Sequence, residues 1–171
     1  MNRWIATIAC AALVLGGSTD LPAAPPVQEA PLPVLSAVSQ SLTDATLLQL
    51  LDGLGYAPKK LSKGYLIAIQ RESWTYYVQL VLSPDQTKLG MNANLATSAD
   101  PAALPASVWL ALLQDNEDVD PSSFYFNRKR NKLYLHRVLD NHAITSAFLR
   151  EQIDKFCQNI KSSADDWGAV K

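Results

Sequence analysis

The sequence has few of the residues that build metal, redox and nucleophilic sites. Its 171 residues include two cysteines and two histidines, and the spacing of His136 and His142 matches no zinc site. The seven glycines are scattered, so the chain contains neither a Gly-x-Ser-x-Gly nucleophile turn nor a glycine-rich phosphate loop. We therefore predict no catalytic residues, no metal and no cofactor, and we do not expect an enzyme.

The acidic run at residues 115–120 does not have the pattern of a calcium loop either. An EF-hand needs glycine at its sixth position and glutamate at its twelfth. Counted from Asn116, those positions hold Pro121 and Asn127. The run is therefore expected to be a solvated helix end.

Neither the charge nor the cysteine content favours a nucleic-acid binder or a disulfide scaffold. The formal net charge is −1, whereas nucleic-acid affinity depends on neutralising phosphates with lysine and arginine. Cys10 lies near the N-terminus, which leaves Cys157 alone if that segment is removed. Cys157 falls on the apolar side of a predicted helix, where a buried thiol is expected. An intermolecular disulfide is the alternative.

The N-terminus has the pattern of a secretory signal peptide. Arg3 precedes an apolar run at residues 4–15, which is shorter than the roughly 20 residues of a membrane span. Small residues at positions 16–18 and 23–24 offer cleavage sites, so we assign residues 1–24 to the signal peptide. An uncleaved anchor and lipidation at Cys10 are alternatives. The protein is thus expected to be exported, periplasmic or secreted, with no transmembrane span in the mature chain.

A linker rich in proline and alanine, residues 25–40, is predicted before a single domain. Five of the ten prolines fall within residues 21–40, which is typical of a semi-extended segment with little fixed structure. The domain is assigned to residues 41–167, and the last residues, 168–171, to a tail.

Three alternating segments, at residues 65–71, 74–82 and 88–95, predict an antiparallel meander. Apolar side chains alternate with polar ones, which indicates a sheet with one buried face. The apolar sets share that face only if each connection has an even length. This predicts a two-residue turn at Glu72-Ser73 and a four-residue loop at residues 84–87. The predicted core face consists of Ile67, Ile69, Tyr76, Val78, Leu80, Met91 and Leu95.

Two helices are predicted on either side of the meander. A capping box beginning at Ser41 starts the first helix, and the glycines at positions 53 and 55 end it. The second helix begins at Pro105. Its apolar face is made of Val108, Trp109, Leu112 and Leu113. Between the first helix and the meander, Lys59-Lys60 is typical of an exposed edge strand.

A hairpin and a last helix complete the domain. The hairpin covers residues 123–138 and pairs Phe126 with Leu133 and Phe124 with Leu135. The helix, at about residues 145–162, has an apolar stripe made of Leu149, Ile153, Phe156, Cys157 and Ile160. Trp167 is expected in a polar tail. The order α-β-β-β-α-β-β-α predicts an α+β fold, an antiparallel sheet with helices packed on one face.

Two surfaces are candidates for binding a partner. On the exposed face of the meander, the predicted register brings together four side chains: Tyr77, Gln79, Asn92 and Asn94. Cross-strand neighbours can act together on a ligand, although a wetted sheet surface is the alternative. The hairpin tip carries four cations: Arg128, Lys129, Arg130 and Lys132. These suit an acidic partner or anionic lipid headgroups, and a solvated turn is the alternative.

Several short motifs also occur in a familiar order. They are Leu112-Leu113-x-x-Asn116, the phenylalanines opposite Leu133 and Leu135, Ile153-x-x-Phe156 and Ala164-x-x-Trp167. Together with the order of helices and strands over residues 41–167, they resemble the type III secretion chaperone-like fold, which is also that of YbjN-type domains, named as sensory transduction regulators. The resemblance implies a non-catalytic fold that dimerises and presents surfaces to other polypeptides. Secretion chaperones of that family act in the cytosol, so the export signal departs from its pattern.

The expected function is therefore that of a non-enzymatic, exported and homodimeric binding module for protein or peptide. No nucleic-acid partner is expected. One alternative is a structural or envelope-assembly accessory protein without a ligand. The other is a hydrolase with an unrecognised site.

Overall fold

The computed structural model describes residues 41–170, so the predictions for the signal peptide, the linker and Cys10 lie outside the described residues. The helices are α1 (Asp44–Gly53), α2 (Ala106–Asp118), α3 (Ser146–Ser162) and α4 (Ala164–Gly168). The strands are β1 (Lys59–Lys60), β2 (Tyr65–Arg71), β3 (Trp74–Leu82), β4 (Lys88–Thr97), β5 (Ser122–Asn127) and β6 (Lys132–Asp140). They form one antiparallel sheet in the order β1-β2-β3-β4-β6-β5. The predicted α+β class is confirmed.

The strands pair in the predicted register. Ile67 lies opposite Val78 across the two-residue turn at Glu72-Ser73, and Leu80 lies opposite Met91 across the next connection. The hairpin also pairs as predicted, with Phe126 opposite Leu133. Because every connection preserves the alternation, the sheet has one continuous apolar face.

One predicted core position is only partly buried, and one is exposed. A bulge between Asn94 and Ala96 shifts the pairing of β4 with β6, because a bulge adds one residue to one strand of the pair. Ala96 is consequently buried, while Leu95 is half-buried and still packs against the core. On α2, Leu112 is buried but Leu113 is 67% exposed, so the apolar face of this helix is narrower than its sequence suggests.

Helix α1 is capped at both ends by local hydrogen bonds. Its N-cap is Thr43 rather than the predicted Ser41: the Thr43 hydroxyl accepts from the Thr46 amide at 3.2 Å, and the Thr46 hydroxyl accepts from the Thr43 amide at 2.7 Å. The predicted end of the helix is confirmed. Gly55 has a φ of +83°, and the next amide, that of Tyr56, donates to the carbonyl of Leu51 at 3.1 Å. This is the Schellman arrangement that a left-handed glycine permits.

Helix α3 supplies the centre of the core. The five predicted stripe residues are all buried: Leu149, Ile153, Phe156, Cys157 and Ile160. Burial raises the pKa of the Cys157 thiol to about 11, which keeps it protonated and poorly nucleophilic at neutral pH. The prediction of a buried core thiol is confirmed.

A smaller apolar cluster joins α2, α4 and the ends of β4 and β6. It consists of Ala96, Leu112, Leu133 and Val170, of which Val170 is completely buried. Trp167 lies in α4 rather than in a polar tail, and its indole Nε1 donates to the carbonyl of Ile160 at 2.8 Å. Its ring meets that of Trp74 edge-on, with centroids 6.3 Å apart. Within residues 41–170, no helix has the length and apolar content needed to cross a bilayer.

Candidate functional site

The face of the sheet opposite the core is called here the open face. It carries the alternate side chains of β2 to β6, because successive residues of a strand point to opposite sides of the sheet. Three of its large side chains remain exposed to solvent: Tyr77 is 59% exposed, Tyr125 41% and Val138 45%.

The structure pairs two of the four residues predicted for this face. Gln79 lies opposite Asn92, as predicted, and Asn94 lies opposite Tyr134 on β6. The ladder between β3 and β4 covers residues 79–82 of β3, so the predicted pairing of Tyr77 with Asn94 lies beyond it. The binding role of these residues stays a prediction.

Asn92 is also held by a histidine on the next strand. Its Oδ1 lies 2.8 Å from Nδ1 of His136. Because an amide oxygen only accepts hydrogen bonds, Nδ1 must be the donor. In the neutral imidazole, Nε2 is then an acceptor, and it has no hydrogen-bond partner among residues 41–170. The Asn92 amide nitrogen and His136 Nε2 therefore offer one donor and one acceptor to a ligand.

Two tyrosines on the open face were missed in the sequence. Tyr125 and Tyr134 stack with ring centroids 5.2 Å apart and planes at 10°, and the His136 ring meets Tyr125 edge-on at 6.0 Å. The alternation that placed Phe124 and its neighbours inward also places these residues outward. The same rule that located the core could thus have found them.

A groove about 510 Å³ in volume crosses the open face above Gly90. Val81 and Val138 flank this glycine on the neighbouring strands. These three residues form the floor of the groove, and the absence of a side chain on the glycine makes the groove deeper. Asn92 and His136 form one wall, and Lys63 borders the same space. The groove therefore has an apolar floor and hydrogen-bonding walls, the usual composition of a ligand site.

Lys63 is held at the groove by a tight contact between its loop and β3. The side-chain amide of Gln79 donates to the Lys63 carbonyl at 2.8 Å. The next residue, Gly64, has a φ of +70°, and a Cβ there would lie 1.9 Å from the carbonyl oxygen of Leu80. Only glycine lets the loop lie this close to the strand.

The basic hairpin tip meets the open face through one residue. Arg130 lines a second cavity of about 490 Å³ together with Gln79 and Lys63. Arg128, by contrast, lines a separate cavity of about 580 Å³ beside Trp109. The two surfaces predicted separately from the sequence are therefore continuous at Arg130.

The comparisons with known proteins concern the fold. Neither a protein-family model nor a curated protein matches the sequence. YbjN from E. coli is 16% identical, with a TM-score of 0.55 over 74% of this chain and 95% of YbjN. The ExsC–ExsE complex contains a chain that is 15% identical, with a TM-score of 0.52 over 72% of this chain and 94% of that one. A chain of the HopA1–SchA chaperone–effector complex is 9% identical, with a TM-score of 0.48 over 67% and 86%.

The chain has the YbjN-type, type III secretion chaperone-like fold. The resemblance inferred from the sequence is confirmed at this level. At such low identities the similarity describes the fold, and the function has to be argued from the site.

On this fold, helix α2 leaves apolar side chains uncovered beside the edge strand β5. Leu110 is 56% exposed and Leu113 67%. Between the helix and the strand, a cavity of about 210 Å³ is lined by Leu113, Trp109, Tyr125 and Phe126. The exposed leucines and this cavity are called the α2–β5 surface.

A pair of carboxyl groups lies between α2 and α4. Oδ2 of Asp115 is buried and has no hydrogen-bond partner among the described residues. Desolvation by burial, followed by the charge of Asp166, raises the pKa of Asp115 to about 6. The folded state therefore holds a proton on this carboxyl group up to about pH 6, whereas an aspartate in the unfolded chain loses it at about pH 4.

Asp115 is expected to make the domain less stable as the pH rises. Its folded pKa lies above the unfolded value, so the folded state binds more protons between about pH 4 and pH 6, and the free energy of unfolding falls across that window. We expect Asp115→Asn to raise stability near neutral pH by about 1 kcal/mol, since partial exposure screens much of the effect. Urea unfolding at several pH values measures it. Glu117→Gln, an exposed change on the same helix, is the control; an equal gain there would contradict the assignment.

Proposed function

We propose that this protein is a non-enzymatic module that binds protein or peptide through the open face. The observation that carries the proposal is the groove over Gly90, where an apolar floor lies beside the hydrogen-bonding groups of Asn92 and His136. A peptide offers both apolar side chains and an amide donor–acceptor pair to such a site. ExsC, which shares the fold, was solved in complex with ExsE, and this supports a binding role.

We also propose that the protein is a homodimer formed through the α2–β5 surface. Exposed leucines on a helix beside a sheet edge suit burial against a second copy, because a twofold interface places the same patch on both partners. Strand β5 is the last strand of the sheet within residues 41–170, so its outer edge adds backbone groups to this surface.

Two double variants, each the control for the other, separate the two surfaces. Asn92→Ser with His136→Ser is expected to weaken binding of peptides selected from a displayed random library at least about tenfold, because both side chains line the groove and supply its hydrogen-bonding groups. This variant should remain a dimer. The variant Leu110→Ser with Leu113→Ser should become monomeric and bind the selected peptides with unchanged affinity. Light scattering and fluorescence titration give the two readouts.

Three other outcomes would each contradict a proposal. An open-face variant that binds as tightly as the unchanged protein would show that the binding surface lies elsewhere. If the unchanged protein selects no peptide at all, the proposed function is wrong. A helix variant that stays dimeric would remove the α2–β5 surface from the interface.

We place this role in an exported protein, since residues 1–24 have the pattern of a signal peptide. N-terminal sequencing of the protein recovered from its native cell is the check. A chain that keeps Met1 and stays in the cytosol would contradict export.

A further inference from the structure

The groove over Gly90 continues into a positively charged recess. Lys63 and Val81 line both the groove, about 510 Å³, and the neighbouring cavity, about 490 Å³. Arg130 lies at the far side of that cavity. One channel therefore leads from the apolar floor past Lys63 to the basic hairpin tip.

The cations of this channel are not neutralised by the described part of the chain. Lys63 and Arg130 form no ion pair there, whereas Lys88, at the other end of the groove, pairs with Asp140. The carboxylate that lines the groove, that of Asp44, is bound at 2.5 Å by Lys60. Although the whole chain has a net charge of −1, the end of this channel near Lys63 and Arg130 has no ion-paired carboxylate among residues 41–170.

The groove also has the dimensions of a short extended segment. Along β4, the five residues from Lys88 to Asn92 are separated by four steps, or about 14 Å at the usual rise of a strand. That length accommodates roughly four or five extended residues. An ideal Cβ at Gly90 would lie 3.5 Å from Cε1 of His136 and 3.8 Å from Nδ2 of Asn92. The donor and acceptor groups on the wall therefore face the space that a ligand side chain would fill.

We infer that the open face recognises an extended acidic peptide segment, with an apolar side chain seated over Gly90 and one or more carboxylates beside Lys63 and Arg130. This inference rests on the proposed function and specifies its partner. The floor selects an aliphatic side chain, and Lys63 and Arg130 select aspartate or glutamate a few residues away. A peptide amide of the segment accepts from Asn92 Nδ2 and donates to Nε2 of His136.

The test is selection of displayed random dodecapeptides on the full chain, followed by titration of resynthesised peptides. The enriched sequences are expected to carry Asp or Glu close to Leu, Ile or Val. Their affinity should fall at least about tenfold between low and high salt, because exposed charges are screened within a few ångströms at high ionic strength. Lys63→Ser with Arg130→Ser should cause a similar loss and remove most of the salt dependence.

Two further variants locate the site. Gly90→Leu is expected to fill the floor and weaken binding at least about tenfold, since it occupies the space of the ligand side chain. Lys59→Ser is the matched control: this lysine is exposed and, within the described residues, also lies outside the ion pairs, but it lies on β1 and lines neither cavity. It should leave affinity unchanged.

The outcomes separate this inference from the proposed function. Enrichment of neutral or basic peptides that Gly90→Leu still blocks would overturn the acidic partner and leave peptide binding intact. No enrichment would overturn both. Binding to phosphatidylglycerol vesicles that requires Lys63 and Arg130, without any acidic peptide, would assign the cations to a lipid surface instead.

Discussion

Replacing Gly64 by alanine is expected to destabilise the domain by at least about 3 kcal/mol. The φ of +70° at this position costs an L-residue roughly 1–2 kcal/mol. The added Cβ would also lie 1.9 Å from the backbone oxygen of Leu80, which belongs to an interior strand of the sheet and cannot move without disturbing its ladder. Urea unfolding followed by circular dichroism measures the loss.

Gly90→Ala is the matched control for this substitution. At Gly90 the nearest atom to an added Cβ is Cε1 of His136 at 3.5 Å, an ordinary contact, so the expected change is within about 1 kcal/mol. If Gly64→Ala were as stable as Gly90→Ala, the loop before β2 would not lie on β3 as described. Because that loop positions Lys63, the Gly64 variant should also reduce the salt dependence of peptide binding in whatever fraction stays folded.

The parts of the fold that the sequence predicted share one physical basis. Alternation has a period of two residues, so a buried face and an even loop length together determine the register. That is why the pairings of Ile67 with Val78 and of Phe126 with Leu133 could be predicted. Helix α3 could be located for a similar reason, since its apolar stripe recurs at helical spacing.

The bulge on β4 could not be predicted in this way. Leu95 and Ala96 are both apolar, so the sequence pattern does not indicate which of them is fully buried. The choice depends on β6, with which Ala96 pairs opposite Leu133. Nothing local in the sequence of β4 reports that neighbour.

The candidate site was predictable only where it lies on regular strands. Gln79 and Asn92 follow from the register of the meander. The position of Lys63 does not follow from that register. This residue reaches the groove through a loop whose position depends on a long-range contact between Gly64 and Leu80. Arg130 was predicted as part of an isolated basic tip, and the sequence pattern does not report that it lines the same cavity as Gln79.

Arg137 is a further residue on the core face. Alternation along β6 predicts this position, although a charged side chain is not expected to be buried there. It follows Leu133 and Leu135 on the core face of β6, where it lies opposite Met91 and is only 6% exposed. Burial lowers the pKa of its guanidinium, which still stays protonated because the ordinary value is so high. The stability of a fold that contains a buried charge of this kind depends strongly on the hydrogen bonds that the charge forms.

Gln152→Leu is accordingly expected to destabilise the domain by about 2–4 kcal/mol. Gln152 Oε1 accepts from Nη2 of Arg137 at 2.5 Å, and Nε of the same guanidinium already has no partner among the described residues. Removing the glutamine therefore leaves a buried cation without the side-chain acceptor that binds its Nη2. Gln158→Leu, an exposed change on the same helix, should alter stability by less than about 0.5 kcal/mol.

The double variant Arg137→Met with Gln152→Leu distinguishes a desolvated charge from a simple packing defect. With both polar groups replaced by apolar ones of similar size, the pair is expected to recover most of the loss, because a buried ionic group is often no more stabilising than hydrophobic residues. Chemical unfolding of the two single variants and the double variant gives the coupling free energy. If the double variant were less stable than Gln152→Leu alone, the harm would lie in side-chain shape, and the guanidinium would be an essential packing element of the core.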